Sequence, residues 1–385
     1  METQVTFNGA GVGGLALAAF ISRNPQIKVV VYESKPEVSA AGEAIAIRRR
    51  SWQVLQDMGL DEGLAKRNFP KEGEGRHRSM QYRKTHQELV VRGPIYRKSD
   101  QKEDGYDFHS HLTPSLGDVT SKTGSKLQVL TSKRARDFVV EEKSAQVAVL
   151  FSDGTRETAD NVVGADGVHS TTIKWFFTDF ANQQTDPVKA EAYLQLVLPK
   201  WSGTYAYRCN VSADALQAEF PGHRALTNPY LWCGQDKGES WTPKWTIFVV
   251  EGLPFSASGR IALMGDSAHA MTPHQGVGGG QAIEDAHLFG RLLAHPKTTE
   301  DNLPIVPQIY QDIRLQFAQQ KAERSRLNGL IYKFNHPDFQ VNSKSSRGEM
   351  EALGKAVGET FGWLAKGGCD DDWMEAEERL NKLAA

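Results

Sequence analysis

Residues 3–34 restrict the fold more tightly than any other part of the chain. TQVTFN (3–8) is a short β-branched run, GAGVGG (9–14) follows at once, LALAAFISRN (15–24) is apolar on all sides, and KVVVYES (28–34) is a second β-branched run. Strand, helix and strand in so short a span form the unit of a parallel sheet, because parallel neighbours need a crossover. Gly9, Gly11 and Gly14 satisfy G-x-G-x-x-G between the first strand and the helix. In that pattern one glycine makes a tight turn, one lets a pyrophosphate approach, and one lets helix and strand pack closely. The helix N-terminus then offers amide donors and positive partial charge. Glu33 ends the second strand, 24 residues after Gly9, where a carboxylate can accept ribose hydroxyls. The motif alone leaves the dinucleotide open, and a glycine-rich turn with no ligand has the same letters.

Two later segments also run from a strand into glycine. NVVGADGVHS (161–170) ends a strand on Asp166-Gly167, which either aims a carboxylate or an amide at a ligand or simply turns. MGDSAHAMTPHQGVGGGQAIEDA (264–286) follows the strand-like GRIAL. Asp266, expected at the end of a buried strand, is costly there unless something such as a polyol satisfies it. Pro273 to Gly280 then places four glycines in eight residues and leads into a helix beginning near Gln281. Glycines expose backbone N–H groups to a flat ring, and a helix N-terminus favours negative charge on it. The plainer reading is a flexible loop and a helix cap.

The rest of the pattern is coarser. Residues 51–66 carry helical periodicity, 70–126 read as polar and irregular, and Asp153-Gly154 is a hairpin signal. Short β-like runs fill 190–258 (AYLQLVL, TYAYRCNV, YLWCG, WTIFVVEG), as in a mostly antiparallel lobe. A long helix is expected over about 304–333, with Ile309, Ile313, Phe317, Arg324, Leu327 and Ile331 near one face, and a charged helix over 370–383 with three Asp at its N-terminal end. At 385 residues the chain exceeds one compact core. Its net charge of −2 favours neither nucleic acid nor an anionic membrane, and Arg48-Arg49-Arg50 reads as solvated surface rather than a phosphate contact. Three scattered cysteines at no metal spacing argue against a disulfide scaffold or a metal site. With no signal-like N-terminus, and with Leu15–Ile21 as the longest apolar run, the expectation is a cytoplasmic protein with no stable membrane insertion.

In order and spacing the motifs resemble the single-component FAD-dependent aromatic hydroxylases of the para-hydroxybenzoate and salicylate hydroxylase kind. The resemblance runs through GAGVGGLALA, VYES, LFSDGTRETADNVVGADGVHS, SGTYAYR and GRIALMGDSAHAMTPHQGVGGGQAIEDA. It implies an α/β fold: a Rossmann-type FAD-binding domain, a mixed or antiparallel-sheet substrate domain, and C-terminal helices. The implied FAD-binding domain spans 1–180 and 259–335, with a shortened substrate-side sheet at 181–258 and a helical tail at 336–385. Gly9, Gly11 and Gly14 would cradle the FAD pyrophosphate, and Glu33 the adenosine ribose. Asp166 lies in a motif linked in the family to FAD and the pyridine nucleotide, and Asp266 would bind the ribityl chain. Pro273, Gly276, Gly278 and Gly279 would line the isoalloxazine ring. On the substrate side Arg208 would pair with a phenolate or carboxylate and Tyr207 form a ring wall; an ordinary strand with an Arg–Asp pair is the plainer reading. The implied chemistry uses NAD(P)H and O2 to form a flavin C4a-hydroperoxide that hydroxylates an electron-rich aromatic small molecule.

The sequence also departs from that family. The His-Arg pair that opens a helix after the strand near 108–112 has no counterpart in HSHLTPSLGDVTSKTGSKLQVL, and only GESWTPKWTIFVVEG stands where further substrate-sheet strands are usual. RRRSW (48–52) replaces a Pro-Asn-type turn, and Glu43 stands where small residues are usual. A shortened roof over the flavin motivates a second reading, a FAD-binding protein that oxidises NAD(P)H without efficient hydroxylation. A halogenase fits poorly, because Trp241 and Trp245 lack the W-x-W-x-I-P spacing. A plain NAD-dependent dehydrogenase leaves 264–286 unexplained.

Overall fold

The opening β–α–β unit forms where the sequence places it. In the computed structural model, strand β1 (Thr3–Asn8) turns through Gly9–Gly11 into helix α1 (Val12–Ile21), and β2 (Ile27–Tyr32) returns beside β1. The structure describes residues 3–38, 49–59, 81–84, 90–91, 127–141, 144, 146–207, 212–223, 226, 230–233, 244–339, 341–342, 344–365 and 368–383. Along the chain follow α2 (Arg49–Asp57), β3 (Gln81–Lys84), β4 (Val90–Val91), β5 (Leu127–Leu130), β6 (Ala135–Val140), β7 (Val147–Phe151), β8 (Arg156–Ala159) and β9 (Asn161–Gly164). Next come helices α3 (Thr171–Asn182) and α4 (Pro187–Leu194), β10 (Lys200–Tyr207), α5 (Ala213–Glu219), β11 (Tyr230–Cys233), β12 (Lys244–Val249), β13 (Ala257–Ser258) and β14 (Ile261–Leu263). Helices α6 (Asp266–His269), α7 (Gly278–Leu293), α8 (Val306–Tyr332), α9 (Arg347–Thr360) and α10 (Cys369–Leu383) complete the described chain.

The central sheet has the order β13-β14-β9-β1-β2-β5 and is parallel except for the β13–β14 pair. β14 comes late in the chain yet joins the same sheet, with Ile261 opposite Val162 and Leu263 opposite Gly164. Both faces are covered, which is why β2 and β14 carry consecutive apolar residues, while β1 buries Thr6 and Asn8 along with Val5 and Phe7. Val29 and Val31 point into one core with α1, α7 and α10; Val30 and Tyr32 point into the other with β6, β7 and α3. The Asp153-Gly154 hairpin forms between β7 and β8, with Gly154 at φ +83°.

Three expectations change. The 70–126 stretch is not irregular throughout: Gln81–Lys84 pairs in parallel with Tyr230–Cys233 and antiparallel with Val90–Val91. That pairing is long-range, so no local pattern announces it. AYLQLVL begins inside helix α4 instead of a strand. Pro187 occupies the first turn and the Asp186 carboxylate accepts the Val188 amide, a strong start signal. The remaining runs do pair, β10 antiparallel with β12 from Lys200↔Val249 to Tyr207↔Lys244.

The third change concerns charge. Ile309 and Ile331 of α8 are buried as expected, but Arg324 is exposed, and Gln311, Arg314, Lys321, Ser325 and Asn328 are buried. Arg314 donates through Nε to Asp285 at 2.9 Å, through Nη1 to Glu284 and Asp372 at 3.2 Å each, and through Nη2 to Gln281 at 2.8 Å. Arg50 is not solvated surface either: it is buried, and it reaches Glu284 at 3.1 Å and Asp372 at 2.8 Å. A buried ion pair adds little net stability, but removing one partner strands the others without water. Arg314→Met is therefore expected to destabilise by about 3–5 kcal/mol. Arg326→Met, on the same helix but in an exposed pair with Glu323, should cost under about 1 kcal/mol. Chemical denaturation of the two variants separates these outcomes.

Candidate functional site

Three strands of the central sheet end side by side, and Gly9, Asp166 and Asp266 follow closely on their ends at Asn8, Gly164 and Leu263, where open α/β sheets bind ligands. The Ala165 amide donates to the Asn8 carbonyl at 2.8 Å and the Met264 amide to the Gly164 carbonyl at 3.0 Å, so the chain leaves β1, β9 and β14 as one braced rim.

The three glycines of the first motif do different jobs. Gly9 sits at φ +105°, and a Cβ there would lie 2.3 Å from the Ala165 carbonyl oxygen. A Cβ on Gly14 would lie 2.1 Å from the Gly9 carbonyl oxygen. Both are closed by protein. Gly11 has an ordinary φ of −78° and, among the described residues, nothing within 4 Å of its Cβ position. Among the described residues it is the one of the three that no neighbour closes. Glu33 braces this turn, accepting the Ala10 amide at 3.0 Å and the Lys35 amide at 2.8 Å.

Helix α1 starts here with no side-chain cap and no acid in its first turn. The same holds for α7, whose first residues are Gly278 to Gly280. The two starts meet: Cβ atoms built on Gly13 and on Gly265 would each stand 3.3 Å from Ala282 Cβ on α7. Two adjacent helices thus present N–H groups that no side chain among the described residues caps, a natural seat for anionic or electron-rich ligand groups.

The 264–286 segment differs from its sequence reading in one respect. Asp266 is exposed in the first turn of α6, not a buried strand-end carboxylate, because Gly265 at φ +59° turns the chain outward first. The buried acids are Glu284 and Asp285, which the sequence reading passed over; their signal was a pair of carboxylates inside the apolar run AIEDAHLF. Pro273 and Gly276 are exposed, Gly276 at φ +64°, and Gly278 and Gly279 are half-buried. Gly280 serves packing instead, for a Cβ there would meet Ser51 Oγ at 2.7 Å.

His274 follows Pro273 and packs on Gly329 of α8. Burial, with the nearby Lys333 charge, lowers its pKa to about 4. Lys333 Nζ donates to Thr204 Oγ1 of β10 at 2.8 Å, which ties the end of α8 to the β10–β12 pair. Asp166 is brought to the same rim, but its carboxylate turns to the start of α3. It accepts the Thr171 and Thr172 amides at 2.8 and 3.0 Å and both the Ser170 and Thr172 hydroxyls. Burial pushes that carboxyl above its ordinary value against these donors. Tyr207 ends β10 opposite Lys244; its side chain, all of Arg208, Glu43 and the 113–126 stretch lie outside the described residues. Among the described residues no group of His, Cys, Asp and Glu is arranged to hold a metal ion, and no helix is long and apolar enough to cross a membrane.

Residues 2–203 and 254–325 match the family described as FAD binding domain. The chain belongs to that family. The open Gly11, the two uncapped helix starts and the outward Asp266 fit such a cofactor, for they leave donors and space together where a dinucleotide would lie. Salicylate hydroxylase of Pseudomonas putida is 24% identical over 437 aligned positions, covering 97% of this chain and 94% of that protein. The alignment is longer than the 385-residue chain, so that relative carries segments with no counterpart here. The 6-hydroxynicotinate 3-monooxygenase of Bordetella bronchiseptica is 24% identical, with 88% of this chain and 94% of that protein covered. Among solved structures, a salicylate hydroxylase substrate complex has a TM-score of 0.73 at 20% identity, covering 97% of this chain and 98% of the other. CtdE in complex with FAD and a substrate has a TM-score of 0.71 at 17% identity, with 99% of both chains covered. These two show that the FAD-binding fold is shared.

Two predictions follow from this FAD-binding geometry. Gly11→Ala should leave apoprotein stability within about 0.5 kcal/mol of wild type while raising the FAD Kd tenfold or more. Gly14→Ala should cost about 1–3 kcal/mol or more even without FAD. Thermal melts and flavin titrations of the apoproteins check both. For His274, the folded pKa of about 4 lies below the unfolded value of 6.5. The unfolded state therefore binds the extra proton, and stability should fall as pH drops from 6.5 towards 4. His274→Phe should flatten that part of the denaturation-midpoint profile.

Proposed function

We propose that the protein is a FAD-dependent monooxygenase working in the cytoplasm, which uses NAD(P)H and O2 to hydroxylate a phenolic or other electron-rich aromatic small molecule. The observation that carries this reading is the convergence of an open glycine turn, an outward carboxylate and two uncapped helix starts on one sheet rim. It occurs in a FAD-binding family member whose relatives are named for salicylate and 6-hydroxynicotinate. Bound FAD would supply the electron transfer and oxygen activation. In this reading Gly9, Gly11 and Gly14 seat the pyrophosphate and Glu33 takes the adenosine ribose. Asp266 holds the ribityl hydroxyls, and Pro273, Gly276, Gly278 and Gly279 line the ring. Asp166 contributes through its backbone, since its carboxylate is committed to α3. The start of α7 favours negative charge developing on the ring side it faces. Arg208 pairs with the substrate's phenolate or carboxylate through its fork of donors and Tyr207 packs against the substrate ring. Residues 181–258 form the substrate-side lobe, against an FAD-binding domain at 1–180 and 259–335 and a tail at 336–385.

A second reading rests on the β10–β12 pair. It is a sheet of two strands that leaves Trp201, Tyr205 and Trp245 exposed among the described residues. A thin roof admits water, and an oxygenating flavin that meets water releases peroxide instead of hydroxylating. The readings separate in one assay. The purified protein should be yellow with bound FAD, and NAD(P)H consumption in the presence of phenolic acids should match hydroxylated product one for one. Peroxide equal to the NAD(P)H consumed selects the second reading, and absence of flavin binding refutes both. Arg208→Ala should raise KM for a carboxylated substrate by about tenfold, roughly 1.4 kcal/mol.

A further inference from the structure

The segment 264–286 is closed on itself by one buried carboxylate. Asp285, fully buried in α7, accepts the Gly265 amide on Oδ2 at 3.0 Å. The same oxygen lies 2.6 Å from His269 Nε2 of α6. Its other oxygen accepts Arg314 Nε from α8 at 2.9 Å. Everything between Gly265 and Asp285, the Pro273–Gly280 turn included, is thus a loop whose two ends are joined. Gly265 sits at φ +59° and ψ −140°, a conformation almost confined to glycine, so the turn into Asp266 needs support from its surroundings.

We propose that Asp285 is a positioning residue of the flavin site: by holding the Gly265 amide, His269 and Arg314 together, it fixes how Asp266 is presented relative to the start of α7. This rests on the reading above in which Asp266 and the start of α7 face FAD. Neither Asp285 nor Arg314 needs to touch the cofactor. The carboxylate is required because donors arrive on both oxygens. An asparagine of the same shape presents its NH2 either to Arg314 or to the Gly265 amide, whichever way it is flipped, and leaves donor facing donor in a dry site. Glu284, the neighbouring acid, serves as the control. It pairs with Arg314 at 3.2 Å and with Arg50 at 3.1 Å, and its hydrogen bonds run to Arg50, Ser51, Gln281 and Arg314, not to the Gly265 turn.

The test is FAD titration of wild-type apoprotein and of Asp266→Asn, Asp285→Asn and Glu284→Gln, each with its melting temperature and the visible spectrum of the bound flavin. Asp266→Asn and Asp285→Asn should each raise the FAD Kd tenfold or more and shift the flavin spectrum. Glu284→Gln should stay within threefold with an unchanged spectrum, although it too removes a charge from the buried network. An Asp285→Asn variant that binds FAD as wild type does, while Asp266→Asn binds weakly, overturns the positioning role alone. An Asp266→Asn variant that binds normally overturns the placement of Asp266 and the proposal with it. Equal weakening in Asp285→Asn and Glu284→Gln, in step with lost stability, reduces Asp285 to a structural charge and also overturns it. Should Asp285→Asn fail to fold, hydrogen exchange in the wild-type apoprotein decides. The Gly265 amide should be protected to within tenfold of the core amide of Leu263; exchange as fast as an exposed loop overturns the proposal.

Discussion

One buried guanidinium joins the parts of this protein that must stay in register. Arg314 reaches three residues of α7 and one of α10, and Arg50 brings α2 to the same two acids, Glu284 and Asp372. Burial alone would lower the arginine's proton affinity; Asp285, Glu284 and Asp372 more than reverse that. Burial alone would likewise raise Asp285, and His269 and Arg314 hold it well below the usual carboxylate range. Each charge is tolerable only because the others are in place. The network constrains four helices to one arrangement, and a hydrophobic replacement could fill the same space without constraining direction.

The sheet rim proposed to hold the cofactor depends on that arrangement. Helix α7 carries the glycines that line the rim at its first turn and the carboxylates of the network one to two turns later. Of these, Asp285 also holds the Gly265 amide, so what anchors Asp285 bears on how the turn before α6 meets the start of α7. The glycines divide along the same line. Gly9, Gly14 and Gly280 are glycine because protein fills the space a Cβ would need, whereas Gly11 is glycine with space left over. Only the second kind speaks of a ligand.

Much of the parallel half was readable from residues alone. A covered parallel strand need have no polar face, so KVVVY and NVVG stand out through consecutive apolar residues, TQVTFN through its β-branched and aromatic residues, and the turn chemistry between them is local. The start of α7 was only partly readable: the letters suggest a helix from near Gln281, and the structure starts it at Gly278, behind Val277, so that Gly278–Gly280 form its first turn. The three-stranded pairing of 81–84, 90–91 and 230–233 was not, because its partners lie far apart in sequence. Helix α4 was misread because a short run of Leu and Val suits either state; its Asp-Pro start was the better signal. Arg50 reads as a surface charge and Asp372 as a dipole charge, and Arg314 draws no reading at all, because nothing in a single helix reports what packs on it.

The sequence by itself determined that this chain builds a parallel sheet with a dinucleotide turn at its rim, since both follow from short-range sterics and hydrophobic periodicity. Tertiary structure decided which acids face the rim and which support it. Asp266 and Asp285 stand nineteen positions apart in one motif, yet one is exposed and the other sealed beneath it. The physical reason is that burial belongs to the packing of α7 against α6 and α8, and a charge is affordable there only when cations from elsewhere in the chain arrive to meet it.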